Sequence, residues 1–383
     1  MTWRSIRNGL RQVHLWAGLI LALPFLLLGI SGSILMFQPE APHWSLPYAP
    51  AIGEPQSLEA IVGAARAALP GVTATRLTLP DARGEPATIR FRPTEAQEAE
   101  GYRGDLVFVD PVSLQILGTI ERPRNPDIFN MMRTLHATLY VRTMSDRTFV
   151  GWMGIALIFM CISGLILWWP KKGKWLSALG VAEGARGFRL YHDLHAAFGF
   201  WSLIVLLVVS ISGLYLAFPR TFRDTVGTVL PIGQFFEEPA GDGTPLVDPS
   251  GDLDRAVART LELVPNAELR DIQLPTGPGG IMVFALSPSY LGKGAPEITV
   301  SADSETGEIV YIDDPRSYAA GEQVVLWQRW LHSGLGLGIV WRVLVFLSGF
   351  LPLFFGITGT WMWILKRKQR AKLQSGSVPA PAE

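Results

Sequence analysis

Four of the six histidines stand at matching positions in two copies of one pattern, beside long apolar stretches. His14 and His195 are 181 residues apart, and a Ser-Gly pair begins seventeen residues after each of them. His136 and His332 are 196 residues apart, and each follows an Arg-x-Leu tripeptide. Imidazole is the usual axial ligand of b-type haem. The pattern therefore predicts an electron-transfer protein that carries haem inside a membrane.

A haem with two axial imidazoles needs one on each face of the macrocycle, and the duplication supplies such partners in pairs. We expect His14 and His195 to bind an inner haem, and His136 and His332 to bind an outer haem, giving two haem b. His192 lies three residues before His195. It could be the ligand instead, or contact a propionate, although the repeat favours His195.

Glycines accompany each predicted haem site. Gly32 and Gly213 are expected at the depth of the outer haem, and Gly164 and Gly359 at the depth of the inner haem. A missing side chain would let a flat porphyrin approach the backbone, but such residues also serve close helix packing.

Two arginines stand one helical turn before the outer histidines. Arg133 and Arg329 could neutralise haem propionates through bidentate hydrogen bonds. Contact with lipid headgroups is an equal alternative. His43 has no counterpart in the other copy, so we expect it to lie at the surface rather than bind a haem.

The composition is that of an integral membrane protein with substantial parts outside the bilayer. Of 383 residues, 49% are hydrophobic, and the charges balance. The single Cys161 excludes a disulfide framework, and no basic stretch outside the span flanks points to nucleic acid. There is no Gly-x-Gly-x-x-Gly motif and no P-loop. Electrons would therefore come from a quinol, a cytoplasmic flavin carrier or a separate reductase.

Four apolar runs, about 12–37, 149–169, 194–218 and 343–365, are long enough to span the bilayer lipid. Lysine and arginine cluster before the first run, between the second and third, and after the fourth, which predicts that both termini are cytoplasmic. The predicted order is transmembrane helix 1 (1–37), outer domain 1 (38–128), outer helix with transmembrane helix 2 (129–170), cytoplasmic loop (171–191), transmembrane helix 3 (192–218), outer domain 2 (219–320), outer helix with transmembrane helix 4 (321–366) and cytoplasmic tail (367–383).

The two outer segments also repeat each other. Pro70 and Pro265 each end a helical pattern, and they are 195 residues apart. Ser57 and Asp252 are the predicted N-caps of these helices. A strand and then a strand–turn–strand follow in each segment, so we expect one small α+β domain per half.

These motifs resemble the PepSY-associated transmembrane family over nearly the whole chain. The resemblance rests on His14 and His195, each with its Ile-Ser-Gly, and on the Gly-x-x-x-Trp endings at 164–168 and 359–363. It implies four transmembrane helices in two tandem repeats, two small PepSY-like α+β periplasmic domains, and the bacterial inner membrane. Within the family the chain is most similar to the inner-membrane ferric-siderophore reductases, which implies two b haems and a ferric siderophore substrate.

Two other functions remain open from the sequence. The chain could be a non-catalytic accessory or regulatory PepSY membrane protein, which would hold no haem. It could also be a metal permease that uses its histidines as ligands. Against the permease, the apolar runs lack Asp and Glu, and four short spans leave little room for alternating access.

Overall fold

The computed structural model describes residues 2–38, 46–100, 102–123, 128–141, 147–233, 253–276, 280–288 and 296–374. Its helices are α1 (Trp3–Leu35), α2 (Leu58–Ala68), α3 (Glu95–Ala99), α4 (Ile128–Thr138), α5 (Thr148–Trp168), α6 (Trp175–Ala178), α7 (Gly187–Ala217), α8 (Pro219–Gly227), α9 (Leu253–Leu263), α10 (Ala320–His332), α11 (Gly338–Ser348) and α12 (Leu351–Gln374). Its strands are β1 (Ala74–Thr78), β2 (Ala87–Phe91), β3 (Tyr102–Val109), β4 (Ile116–Pro123), β5 (Ala267–Gln273), β6 (Ile281–Pro288), β7 (Ile298–Asp303) and β8 (Ile309–Asp313).

These elements form two compact units. The helical unit comprises Met1–Phe37, Ile128–Thr228 and Trp327–Glu383. The sheet unit comprises Gln38–Asp127 and Val229–Leu326. Each unit therefore takes chain from both halves of the sequence.

Four helical segments of the helical unit are long and apolar enough to cross a membrane: Trp3–Leu35, Thr148–Trp168, Gly187–Ala217 and Gly338–Ala371. The four predicted spans are confirmed as helices, and the chain is a multi-pass membrane protein. The first and third begin several residues before their apolar runs. Arginine is a good helix former, so the basic flanks continue the helix beyond the apolar stretch.

The fourth span differs from the predicted single helix, because it is interrupted between α11 and α12. Pro352 has no N–H to donate, and in a continuous helix its ring would clash with the carbonyl of Ser348, four residues earlier. Gly349 lies at the interruption against Gly29 of α1, so closely that an alanine methyl on either would overlap the other's backbone. The Phe346 carbonyl accepts from the Gly349 N–H at 3.3 Å, and the Ser33 hydroxyl of α1 is its second donor at 2.8 Å.

Arginines bridge the ends of neighbouring spans. Arg147, at the start of α5, donates to the Leu216 carbonyl in the last turn of α7 at 3.2 Å. Arg342, 195 residues later, donates to the Met36 carbonyl after α1 at 2.9 Å. The last carbonyls of a helix lack intrahelical donors and carry partial negative charge, so each guanidinium stabilises its neighbour's end. The same contact thus occurs in both halves.

The sheet unit is one antiparallel sheet of eight strands in the order β4-β3-β2-β1-β5-β6-β7-β8. Two separate small domains were predicted, but β1 and β5 pair and join the halves into one sheet. Leu77 lies opposite Ile272, its counterpart 195 residues later, and both side chains are fully buried. The reason is that each half would otherwise expose a strand edge with unpaired backbone groups.

Helices α2 and α9 pack on the buried face of the sheet and share one hydrophobic core with both halves. Ser57 caps α2, since its side chain accepts from the Ala60 N–H at 3.2 Å, which confirms that prediction. Asp252, the other predicted cap, lies outside the described residues. In addition, Asp254 accepts from the Leu58 N–H at 2.8 Å, and Glu59 accepts from the Leu253 N–H at 3.4 Å. The two helices therefore cap each other.

We expect Asp254→Ala to loosen the first turn of α2. Loss of a capping carboxylate costs about 1 kcal/mol, so the amides of that turn should exchange with solvent roughly fivefold faster. Hydrogen–deuterium exchange by mass spectrometry on peptides containing Leu58 measures this. Glu262→Ala, an exposed change in α9, is the matched control. Equal exchange in the two variants would contradict the reciprocal cap.

Asp110 makes the β3–β4 turn dependent on pH. Burial raises the pKa of its carboxyl. Hydrogen bonds from the N–H groups of Ser113, Val112 and Ala51 lower the pKa by more than burial raises it, so the net pKa lies below its ordinary 3.8. Because the pKa is lower in the folded protein, this stabilisation is present above about pH 4. It is lost as the pH falls through the folded pKa.

We therefore expect Asp110→Asn to lower the melting temperature at pH 7 and much less at pH 3. The loss at pH 7 should correspond to about 1–3 kcal/mol, the cost of leaving buried donors without a charged acceptor. Thermal unfolding of the detergent-solubilised chain, followed at both values of pH, tests it. A destabilisation that does not change with pH would show that the carboxylate charge is not involved.

Candidate functional site

The helical unit brings four histidines together as two pairs. His14 of α1 faces His195 of α7 with ring centroids 6.5 Å apart. His136 of α4 faces His332 of α10 with centroids 5.9 Å apart. We refer to these as the 14/195 pair and the 136/332 pair. Each pair takes one histidine from each half of the chain.

In the 136/332 pair, backbone carbonyls fix the position of the ring proton. The Nδ1 atom of His136 lies 2.9 Å from the Leu28 carbonyl, and that of His332 lies 2.9 Å from the Val209 carbonyl. A carbonyl oxygen can only accept, so both Nδ1 atoms carry the hydrogen. In each neutral imidazole the lone pair is then on Nε2. Ser31 and Ser212 lie beside the same nitrogens at 3.2 and 3.1 Å.

In the 14/195 pair, hydroxyl groups have the same effect. The Nδ1 atom of His14 lies 2.7 Å from the Ser163 oxygen, and that of His195 lies 2.8 Å from the Thr358 oxygen. Each hydroxyl is also placed to donate its only hydrogen to a carbonyl of its own helix, on Met160 or Phe354. With that hydrogen donated, its oxygen can accept from Nδ1–H, and the lone pair of these two imidazoles would then also be on Nε2.

A glycine follows each of these four hydroxyl residues, and a histidine ring lies against it. An alanine methyl would stand 2.9 Å from the His136 Cε1 at Gly32 and 3.2 Å from the His332 Cε1 at Gly213. At Gly164 and Gly359 the corresponding distances to the rings of His14 and His195 are 3.4 and 3.8 Å. These glycines were predicted to make room for a porphyrin, whereas in the structure an imidazole ring lies against each of them.

The Ser-Gly and Thr-Gly dipeptides therefore hold the histidine rings in position. The hydroxyl residue orients Nδ1, and the glycine lets the ring approach the backbone. Ser163 and Thr358 were not predicted to be hydrogen-bond partners of His14 and His195. Their recurrence 195 residues apart, each next to a glycine, was the signal that could have identified it.

The donor set suits a metal that needs only two protein ligands. Two imidazoles on opposite sides of one ion, at metal–nitrogen distances of about 2 Å, would have centroids roughly 6 Å apart. Both pairs match this separation. Among the described residues, no group of three or more His, Cys, Asp or Glu is placed to hold an ion. A bare zinc ion usually takes three or four protein ligands, whereas haem iron takes four nitrogens from its porphyrin. The residues fit haem.

The histidines of α4 and α10 are neutral at pH 7. Burial lowers the pKa of His136 despite its hydrogen bond to Leu28. Burial, and then the neighbouring His136, lower the pKa of His332 to about 4. A neutral imidazole is the form that ligates a metal.

The remaining candidates lie apart from the pairs. His192 is half exposed, with its Nδ1 3.1 Å from an oxygen of Asp193, and it is His195 that faces His14. Arg133 and Arg329 are exposed, and no ion pair of either is found within the described residues. Their proposed contact with propionates stays a prediction. His43 lies outside the described residues.

Comparison with known protein families gives a match over nearly the whole chain. The family described as the PepSY-associated TM region matches residues 11–366 of the chain. This range includes all four spans apart from their outermost turns, and all four paired histidines. No curated protein matches the chain.

Proposed function

The chain belongs to the PepSY-associated transmembrane family, and from this premise we propose that it is a dihaem b electron-transfer protein. Its place is the bacterial inner membrane, and its activity is the reduction of ferric siderophores. The observation that carries the proposal is that four histidines face each other as two pairs. In both, the ring separation suits two ligands of one iron, and an Nδ1–H held by the protein would leave Nε2 to bind it.

The chain's own residues set the ligand positions. Ser163 and Thr358, with the carbonyls of Leu28 and Val209, hold the four imidazoles by Nδ1. Such hydrogen bonds orient a ligating histidine and make it a stronger donor. Haem bound by two imidazoles supplies one-electron transfer, because the iron has no open position for oxygen or substrate.

The two pairs are separated along α1 by about the thickness of a membrane core. On α1, His14 is a member of the 14/195 pair, and Ser31 contacts His136 of the 136/332 pair. Seventeen residues at a rise of 1.5 Å each give about 25 Å, against about 30 Å for the hydrocarbon core. One site near each face of the bilayer would let electrons cross it in two steps.

The substrate we propose is a ferric siderophore, as the resemblance to the ferric-siderophore reductases implies. Ferric iron is a hard ion held by oxygen ligands, and the ferrous ion is less highly charged and is held more weakly. Reduction on the periplasmic side would therefore release the metal. The donor would be a quinol, a flavin carrier or a separate reductase on the cytoplasmic side.

The test uses the purified holoprotein, reduced with dithionite and freed of excess reductant. Adding ferrioxamine should reoxidise the haems and yield ferrous iron that a ferrous-specific chelator traps. The gallium complex of the same siderophore has the same shape but cannot be reduced, so it is the control. His136→Ala and His332→Ala should abolish iron release while the 14/195 haem remains reducible. Haems that stay reduced with every ferric chelate would overturn the reductase, and absence of haem would favour an accessory protein.

The proposed orientation can be tested by cysteine labelling. Cys161 is buried, so a Cys161→Ala chain offers a background in which single exposed cysteines can be introduced. We expect Glu98→Cys to react with an impermeant maleimide in intact spheroplasts, and Arg370→Cys to react only after lysis. Both positions are exposed in the structure. The opposite result would reverse the orientation and exchange the inner and outer sites.

A further inference from the structure

A cleft of about 320 Å³ opens on the sheet unit at the strands β1, β2 and β5. Three arginines line it, Arg76, Arg90 and Arg92, together with polar groups such as Thr75 and Gln273. Its volume is at the lower end of the range for small-molecule sites. The cleft lies within one unit and contains none of the paired histidines.

The charges in this cleft are poorly balanced. Arg76 pairs with Asp271 at 3.2 Å, and the same carboxylate also accepts from Thr78. No ion pair of Arg90 or Arg92 is found in the part of the chain that the structure describes. Three guanidinium groups therefore share the Asp271 carboxylate, and Glu297, which also interacts with Arg76, is the second acidic group nearby.

The arrangement of Arg76 and Arg90 costs stability. The two residues are register partners on adjacent antiparallel strands, where like charges repel. Burial lowers the pKa of Arg90, and Arg76 lowers it further, against the opposing effect of Asp271. An anion bound in the cleft would offset this repulsion.

The repeat shows that the sheet does not need these charges. Leu77 pairs with Ile89 as Ile272 pairs with Phe284, so the second half has the same register. In that register the counterparts of Arg76, Arg90 and Arg92 are Asp271, Ala285 and Ser287. The three arginines therefore belong to one half only, although the strand register is the same in both.

We propose that this cleft binds a small soluble polyanion bearing two or more carboxylate or phosphate groups. Guanidinium groups match both kinds of group through paired N–H donors, and Thr75 and Gln273 add neutral polar contacts. The inference rests on the sheet unit alone and does not depend on haem or on iron reduction.

Isothermal titration calorimetry of the full chain in neutral detergent, with citrate and with pyrophosphate as probes, tests the proposal. We expect saturable binding of at least one probe. Arg90→Gln and Arg92→Gln should each weaken it about tenfold or more, as expected for loss of a charge-assisted contact. Arg83→Gln, an exposed change outside the cleft, should bind as the unaltered chain does. Melting temperatures without ligand identify any variant that misfolds.

Three results would overturn the proposal. The first is that neither probe binds at millimolar concentration. The second is that Arg83→Gln weakens binding as much as Arg90→Gln, since the attraction would then be to overall charge. The third is that phosphatidylglycerol displaces the probes, which would assign the cleft to lipid headgroups. Haem content and iron reduction, measured on the same samples, keep these outcomes separate from the proposed function.

Discussion

His14→Ala should leave the purified protein with one haem per chain instead of two. The 14/195 pair loses one of its two ligands, whereas the 136/332 pair keeps both imidazoles and both carbonyl partners. The remaining haem should retain the absorbance bands of a low-spin site with two histidines. Pyridine haemochrome analysis gives the stoichiometry, and reduced-minus-oxidised spectra identify which site remains. His136→Ala should give the reciprocal result.

His192→Ala is the matched control, because it removes an imidazole three residues from a proposed ligand. His192 contacts Asp193 and does not face His14, so both haems should be retained. Loss of one haem in His192→Ala, with two in His195→Ala, would contradict the assignment of the pair. Loss of both haems in His14→Ala without unfolding would contradict the two-site arrangement.

The angle between the rings provides a second measurement on the same samples. The imidazole planes are inclined by 76° in the 14/195 pair and by 56° in the 136/332 pair. Steeply crossed ligand planes leave the iron orbitals that interact with them nearly equal in energy. We therefore expect the electron paramagnetic resonance spectrum of the ferric protein to show strongly anisotropic low-spin signals. The more anisotropic signal should come from the 14/195 pair and should be absent from His14→Ala. A resonance typical of parallel rings in both sites would contradict the geometry.

The grouping of the histidines could be predicted from the sequence because the repeat offset relates residues that are far apart. The sequence did not reveal how each helix is rotated about its own axis. It placed Gly32 and Gly164 at the depth of a pair, but depth does not say which ring fills the gap. The structure supplies the rotation and places the imidazole there. The hydrogen bonds to Ser163 and Thr358 were hidden for the same reason.

The sheet could be predicted in its parts but not in its assembly. Each half has local signals for a helix, a strand and a strand pair, and those elements are present. The pairing of β1 with β5 joins residues about 195 positions apart, and no turn links them. Alternation predicts only that Leu77 and Ile272 face a core. That the core is shared follows from two exposed strand edges, which local patterns do not reveal.

A series of glycine-to-alanine changes should affect the haems in the order of the space available. A methyl at Gly32 would stand 2.9 Å from the His136 Cε1, closer than carbon atoms approach without displacement. At Gly359 the distance to the His195 ring is 3.8 Å, an ordinary contact. We therefore expect Gly32→Ala to lose the 136/332 haem and Gly359→Ala to keep both. Gly213→Ala and Gly164→Ala should fall between them.

If only helix stability mattered, these glycine-to-alanine changes would stabilise the protein, so a loss of haem distinguishes the two explanations. In water-soluble helices alanine stabilises an interior position by up to about 1 kcal/mol relative to glycine, so the backbone should tolerate every one of these changes. Gly9→Ala is the matched control in α1, since nothing lies within 4 Å of the added methyl. Haem per chain and melting temperature are measured together for all five variants. Two intact haems in Gly32→Ala, or equal losses in Gly32→Ala and Gly359→Ala, would show that these glycines do not seat the imidazoles. We expect Gly32→Ala and Gly213→Ala to lose only the 136/332 haem, and Gly32→Ala to lose more of it. That pattern would show that each histidine ring needs the space that its glycine leaves.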